Sequence, residues 1–257
     1  MSGPLNGAGV VVTRPARQAA GLAQEIAALG GRPLVFPAIV ILPPADDAPL
    51  RQAQRNLDHY DMAIFVSANA VEYAVADPAA WPAQLVPFAP GPGTAAALAA
   101  VGITNARIPA TTMDSEGLLA LPELADVAGR RIVIFRGTGG RELLHTVLEA
   151  RGARVEQIEC YRRARPATGA AGLLEAWRDR RIDAVTLTSS EGLDNLWAIF
   201  DAEGRSYLVA TAAFVPHPSI AEHAGSLGLR SVIVTPPADA GLLASLLEYF
   251  SAHPRSN

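Results

Sequence analysis

The residues best equipped for chemistry form one local cluster, Cys160-Tyr161-Arg162-Arg163-Ala164-Arg165. It sets a phenol, a proton donor near neutral pH, beside three guanidinium groups that attract carboxylates. Structurally it reads as a solvated basic patch at the end of a strand. Functionally, Tyr161 projects into a cleft while the arginines supply positive potential for an acidic ligand. Six turns elsewhere carry hydroxyl, glycine or proline residues after an apolar stretch. They are Thr13-Arg14-Pro15, Ser67-Ala68-Asn69, Pro90-Gly91-Pro92-Gly93-Thr94, Arg136-Gly137-Thr138-Gly139-Gly140, Thr188-Ser189-Ser190 and Pro216-His217-Pro218-Ser219. Where such a turn opens a helix, unpaired N–H groups and the positive helix end favour an anion. A serine or threonine there is also an ordinary N-cap worth about 1 kcal/mol, so no single turn decides the matter. Six together describe a cleft for a ligand with several acidic groups.

Other catalytic constellations are missing. Gly137-Thr138-Gly139-Gly140 lacks the lysine and spacing of a P-loop, and Gly91-Pro92-Gly93 lacks the third glycine of a dinucleotide fingerprint. Among His59, His145, His217, His223 and His253, only His217 and His223 are close, and six residues apart they do not share a helical face. No metal is expected, and no organic cofactor. No serine sits in a Gly-x-Ser-x-Gly elbow. Cys160 has no activating neighbour and is expected to be structural; as the only cysteine it excludes an internal disulfide and suits a reducing cytoplasm.

Bulk composition narrows the class. Half the residues are apolar and 18% charged, enough for packed cores, and 257 residues slightly favour two modest domains over one. A net charge of −4 argues against nucleic-acid or anionic-membrane partners. No stretch approaches the ~18 to 20 apolar residues of a membrane span. Residues 1–9 lack the pattern of a secretory signal. Lysine is absent while alanine, glycine, proline and arginine abound, which reads as compositional bias. No unused apolar segment advertises an interface, so a cytoplasmic monomer is expected. The tail, 251–257, is polar and expected to fray.

The elements that must position these residues show themselves through a duplication. Residues 10–37, VVVTRPARQAAGLAQEIAALGGRPLVFP, match 132–159, IVIFRGTGGRELLHTVLEARGARVEQIE, 122 positions on. Arg14 falls on Arg136, Leu22 on Leu144, Ile26 on Leu148 and Gly30 on Gly152. The same offset lays DMAIFVSANAV, from Asp61, on DAVTLTSSEGL, from Asp183, with Ser67 on Ser189. A slightly larger one pairs FAPGPGTAAALAAVGI with FVPHPSIAEHAGSLGL, and Glu116-Gly117-Leu118-Leu119 with Ala240-Gly241-Leu242-Leu243.

Each block has one grammar. Apolar runs at 10–12, 64–66, 132–135, 185–187 and 232–234 lack alternation, as strands covered on both faces do. A turn and a helical stretch follow. Ala19, Leu22, Ala23, Ile26 and Leu29 make one buried stripe, as do Leu144, Val147 and Leu148, and glycines 30–31 and 152 end these helices. The expected fold is α/β: two flavodoxin-like doubly wound parallel-sheet domains, roughly five strands in each copy. Proline-bordered linkers at 38–44 and 159–166 are expected to lie side by side as a two-stranded connector.

The two-copy pattern, VSANAVEYA, GPGTAAALAAVGI, RGTGGRELL, ECYRRARP and TSSEGL together resemble the uroporphyrinogen-III synthase family, in order, over about 10–250. The resemblance implies a chain that crosses twice: 1–38 with 164–257 in one domain, 39–163 in the other. It implies a hydro-lyase of tetrapyrrole and heme biosynthesis that needs no cofactor. Its substrate would be hydroxymethylbilane, closed to uroporphyrinogen III with loss of water and inversion of the terminal pyrrole through a spiro intermediate. It further implies that Tyr161 aids hydroxyl loss, that Ser67, Thr94 and Ser189 line the cleft, and that Gly137 belongs to a small-residue loop. His217-Pro218-Ser219 departs from Gly91-Pro92-Gly93 of the first copy; His217 contacts substrate if it points inward, and not if it caps. The rival readings are a non-catalytic bilobed binding protein for an acidic ligand and a nucleotide-dependent enzyme on the same fold. A missing export signal, too little length for an output module and the absent fingerprints stand against them.

Overall fold

The protein is described by a computed structural model over residues 3–253. The frayed tail expected at 251–257 falls largely on 254–257, outside the described residues; Ser251 and Ala252 are helical.

Along the chain come β1 (Gly9–Val12), α1 (Ala16–Ala28), β2 (Arg32–Val35) and β3 (Val40–Leu42). Next are α2 (Ala48–Arg55), β4 (Met62–Phe65), α3 (Ala68–Ala74), β5 (Val86–Phe88) and α4 (Pro92–Ala100). Short α5 (Ser115–Leu119) and α6 (Pro122–Ala125) precede β6 (Arg131–Gly137), α7 (Leu143–Ala150) and β7 (Arg154–Ala164). The last stretch holds α8 (Ala171–Arg178), β8 (Ala184–Thr186), α9 (Ser190–Ile199) and α10 (Ala202–Ala210). It closes with β9 (Ala212–Val215), α11 (Pro218–Ser226), β10 (Val232–Val234) and α12 (Ala238–Ala252).

Two units result, Met1–Val40 with Ala164–Asn257 and Ile41–Arg163. The first holds a sheet of order β10-β9-β8-β1-β2, parallel throughout. Counted within its own unit this is the 2-1-3-4-5 winding of flavodoxin-like sheets. The second unit's sheet runs β3-β7-β6-β4-β5, and the pairs among β4, β5, β6 and β7 are parallel.

Burial follows from the unalternating strands. In the first sheet Val11, Val185 and Ala213 feed the core on one face, and Val10, Val12, Ala184 and Phe214 the core on the other. In the second, Phe65, Val133 and Phe135 oppose Ile64, Ile132 and Ile134 in the same way. Period two with helices on both faces makes consecutive positions of the central strands apolar.

The duplication reappears as sheet register. Val10 pairs with Pro33 and Ala184, and 122 positions on Ile132 pairs with Val155 and Met62. Asp183 accepts from the Gly9 N–H at 2.7 Å; its counterpart Asp61 accepts from the Arg131 N–H at 2.8 Å. Each unit thus joins the β-α-β piece of one copy to the remainder of the other. Equivalent helices end on left-handed glycines, Gly30 and Gly152 with φ of +81° and +86°, Gly102 and Gly228 with +85° and +90°. The copies differ at one edge. Where Phe214 and Ile233 pair β9 with β10, the corresponding Phe88 and Arg107 form a single parallel bridge. At the other edge β3 lies against β7, so the expected two-stranded connector is built into the second sheet.

Candidate functional site

In the second unit the order reverses between β6 and β4: β6 leads toward β7 on one side and β4 toward β5 on the other. Connections that diverge there leave a crevice at the carboxyl ends of the strands. A pocket of about 370 Å³ occupies this place, lined by Val66, Ser115, Arg136, the 137–141 loop, Tyr161 and Arg163. A hollow of about 470 Å³ around Tyr60, Arg131 and Arg154 opens at the opposite, amino end of the sheet, away from the strand-to-helix turns.

Tyr161 is set into the first pocket by a break in register. Arg136 pairs with Glu159 but Gly137 pairs with Tyr161, leaving Cys160 as the extra residue of a bulge. A bulge bends its strand and re-aims the next side chain. Consecutive Cys160 and Tyr161 are therefore both buried, with only 2% of Tyr161 exposed. Gly137 makes room for the ring, since a Cβ there would lie 2.7 Å from two of its carbons. The Thr138 N–H donates to the Tyr161 carbonyl at 2.8 Å. Ser67 Oγ stands 3.1 Å from the Tyr161 hydroxyl and accepts from the Ala70 N–H at 3.2 Å as the N-cap of α3. Tyr161 lines the pocket with its ring packed and its hydroxyl held by Ser67.

Arg136 opens one of the six candidate turns, but no role of its own was expected of it. Its guanidinium is buried, donating to Glu142 and Gln157 at 2.7 Å each and to the Gly139 carbonyl. Gln157 in turn donates to Glu142 at 2.8 Å. The bonds from Arg136, then from Gln157, hold the Glu142 carboxyl below its ordinary pKa. A lone arginine at the end of an apolar run, aligned with Arg14 in the other copy, was the available signal.

The remaining positions divide by unit. Ala68 and Asn69 open α3, and Gly93 with buried Thr94 lies in the first turn of α4. Thr138 lines the pocket, with its N–H donating to the Tyr161 carbonyl and its hydroxyl to Glu159 at 3.0 Å. In the first unit Arg14 is paired with Asp239 and is not a free cation. Ser189 caps α9 by accepting from the Gly192 N–H at 3.0 Å, and Ser190 is the first helical residue. His217 is the N-cap of α11, its Nδ1 accepting from the Ser219 N–H at 3.2 Å and lying 2.8 Å from the Ser219 hydroxyl. Capping, not an inward contact, is what the geometry gives His217 and Ser219. Cys160 is buried, its thiol pushed up to about 12 by desolvation. Among the described residues no three His, Cys, Asp or Glu side chains are grouped to hold a metal, and no helix is long and apolar enough to cross a membrane.

A family model described as uroporphyrinogen-III synthase HemD matches residues 20–244. The chain belongs to the uroporphyrinogen-III synthase family. It is 34% identical over 244 residues to the uroporphyrinogen-III synthase of Salmonella typhimurium, spanning 93% of this chain and 99% of that one. With the uroporphyrinogen-III synthase of Synechococcus elongatus the identity is 31% over 231 residues, 84% of this chain and 86% of the other. Two solved structures share the fold. A mutant uroporphyrinogen III synthase from Thermus thermophilus gives a TM-score of 0.60 at 19% identity, covering 95% of this chain and 99% of that one. The Helicobacter pylori uroporphyrinogen-III synthetase gives 0.58 at 15% identity, covering 94% and 99%. As a member of this enzyme family the chain is a cyclising hydro-lyase of tetrapyrrole biosynthesis.

Proposed function

We propose that this uroporphyrinogen-III synthase family member closes hydroxymethylbilane to uroporphyrinogen III in the pocket beside Tyr161, working as a cytoplasmic monomer. The observation that carries the site is the Ser67–Tyr161 hydroxyl pair at the carboxyl end of the second sheet. The substrate's terminal hydroxyl leaves as water once it takes a proton, and Tyr161 is the donor. The methylene left behind is electrophilic and conjugated with its pyrrole. The substituted carbon of the terminal ring attacks it to give the spiro intermediate. That intermediate fragments by breaking the bond from the same carbon to its original methylene, which becomes the new electrophile. The ring's unsubstituted α-carbon then bonds to that methylene, inverting the ring, and the proton it loses restores Tyr161. Without guidance the chain ends join directly and give the I isomer. Most of the task is therefore conformational: the acetate and propionate groups must be held so that the second geometry is reached. In the unit that holds Tyr161, the helix openings at Ser67 and Gly91 offer N–H groups for those carboxylates. Support for a monomer comes from how few large apolar side chains are exposed among the described residues: Val35, Ile108, Met113 and Val234.

The test supplies freshly generated hydroxymethylbilane to metal-stripped protein, oxidises the products and separates the isomers by chromatography. Uroporphyrin III in excess is the expected result. Isomer I alone, at the rate of the buffer control, would overturn the reading.

A further inference from the structure

We propose that Arg136 is a positioning residue for this reaction: its buried guanidinium fixes the 137–140 loop against Tyr161 and does not clamp substrate. This deepens the site reading above and rests on it. An arginine lining the pocket of an enzyme with an acidic substrate invites assignment as a carboxylate clamp, but its bonds argue otherwise. Nη1 is engaged by both Glu142 and Gln157, Nη2 by the Gly139 carbonyl, and only 8% of the side chain is exposed. The charge is already neutralised by Glu142, so a substrate carboxylate would have to displace an existing pair. Glu142 and Gln157 are joined to each other, making a closed three-residue network.

The geometry of the loop shows what the network holds. Gly139 and Gly140 have φ of +74° and +100°, conformations that glycine adopts freely and leaves as freely. Left alone, this loop would sample many shapes. The guanidinium ties the Gly139 carbonyl to a strand residue, Gln157 on β7, and to Glu142 at the opening of α7. Gly137, three residues before Gly140, then stays where it packs on the phenol ring, and the Thr138 N–H stays on the Tyr161 carbonyl. A displacement of about 1 Å in a reacting group costs up to about 100-fold in rate. The same position in the first copy, Arg14, takes its acid from α12 through Asp239, because Ala20 stands where Glu142 would fall.

Arg136→Lys and Glu142→Ala distinguish the two roles, with Tyr161→Phe as the reference. A positioning residue predicts that both Arg136→Lys and Glu142→Ala lower kcat by about 10- to 100-fold, with KM within about twofold. It also predicts that the double variant is no worse than the worse single one, since both break one network. Glu142 is 61% exposed on its side chain, so its variant is expected to fold even if Arg136→Lys does not. A clamp predicts the reverse: Arg136→Lys raises KM, and Glu142→Ala, which frees the guanidinium, lowers it. That outcome, or wild-type kcat in folded Glu142→Ala, would overturn the proposal. If Tyr161→Phe also keeps full rate, the site reading itself fails; if Tyr161→Phe is slow and Glu142→Ala is not, only the role of Arg136 does.

Discussion

Tyr161, Gly137 and Ser67 form a mutually dependent set, because the bulge at Cys160 places the ring, the absent Cβ admits it and the serine holds its hydroxyl. Tyr161→Phe keeps the packing and removes the donor, so the rate of isomer III formation is expected to fall by about 100-fold with little change in melting temperature. Gly137→Ala keeps the donor but drives a methyl into the ring, and a loss of about 10- to 100-fold is expected from misplacement alone. Equal, full activity in both would remove Tyr161 from the chemistry. Cys160 yields a prediction on stability. Burial raises its thiol to about 12, so the folded form favours the neutral thiol. That contribution is complete below the unfolded value near 9 and fades as pH rises toward 12. At about 1.4 kcal/mol per pH unit, roughly 2 kcal/mol is lost by pH 10.5. Tyr60, also raised by burial and by Glu156, adds to the loss only above its own ordinary value near 10. Urea denaturation between pH 8 and 10.5 should show this decline in the native chain and a flatter one in Cys160→Ala.

At the scale of elements, the repeat was legible because its physics is local: apolar runs, capping serines and terminating glycines each leave a mark within a few residues. The runs at 10–12, 132–135 and 232–234 fall within β1, β6 and β10. Less legible were β5 and β9, short Val-Pro-Phe and Ala-Ala-Phe-Val segments of which only the ends, from Phe88 and from Phe214, belong to the matched blocks. The bulge was invisible, since a register break depends on a partner strand and no single-strand pattern encodes it. The site was half legible for the same reason. Turns announced Ser67 and Gly137, but nothing local said that Arg136 would be neutralised by Glu142 or decided between the capping and inward readings of His217. Two glycines recovered from the fourth repeat block carry the element-scale prediction. A Cβ on Gly117 would lie 1.7 Å from the Thr112 carbonyl oxygen, and one on Gly241 2.0 Å from that of Pro236. Both helices, α5 and α12, are thus packed on the turn that precedes them. Gly117→Ala and Gly241→Ala should each cost about 1 to 3 kcal/mol by overpacking. Gly225 in α11 has open space around its Cα, so Gly225→Ala should stabilise by about 0.5 to 1 kcal/mol. Denaturant midpoints at unchanged slope check all three, and a neutral Gly241→Ala would show that the turn yields.

For the whole molecule, the consequence of the duplication is that chain order and domain order differ. A 122-residue offset relates the copies, yet each unit is built from parts of both, with one unit continuous in sequence and the other interrupted. The continuous unit holds two cores of its own, one around Phe65 and Phe135 and one around Ile64, Ile132 and Ile134, on the two faces of its five-stranded sheet. A sheet covered on both faces by its own helices has what independent folding requires. A fragment running from Val40, which keeps all of β3, to Arg163 is therefore expected to unfold cooperatively on its own. Its heat-capacity increment should be about 1.5 to 1.8 kcal/mol/K for a chain of that length. It should bring the Ser67–Tyr161 pair and the Arg136 network with it, since every member lies within 41–163. The fragment lacks every helix opening of the interrupted unit, Ser189 among them, and so offers fewer N–H groups for the substrate's carboxylates. The fragment should accordingly lose control over the isomer formed while remaining folded. Calorimetry on the fragment, followed by the isomer assay, checks both halves of this argument. A broad, non-cooperative melt would show that the interrupted unit is needed to complete the fold. Isomer III from the folded fragment would show that one unit's carboxylate contacts suffice.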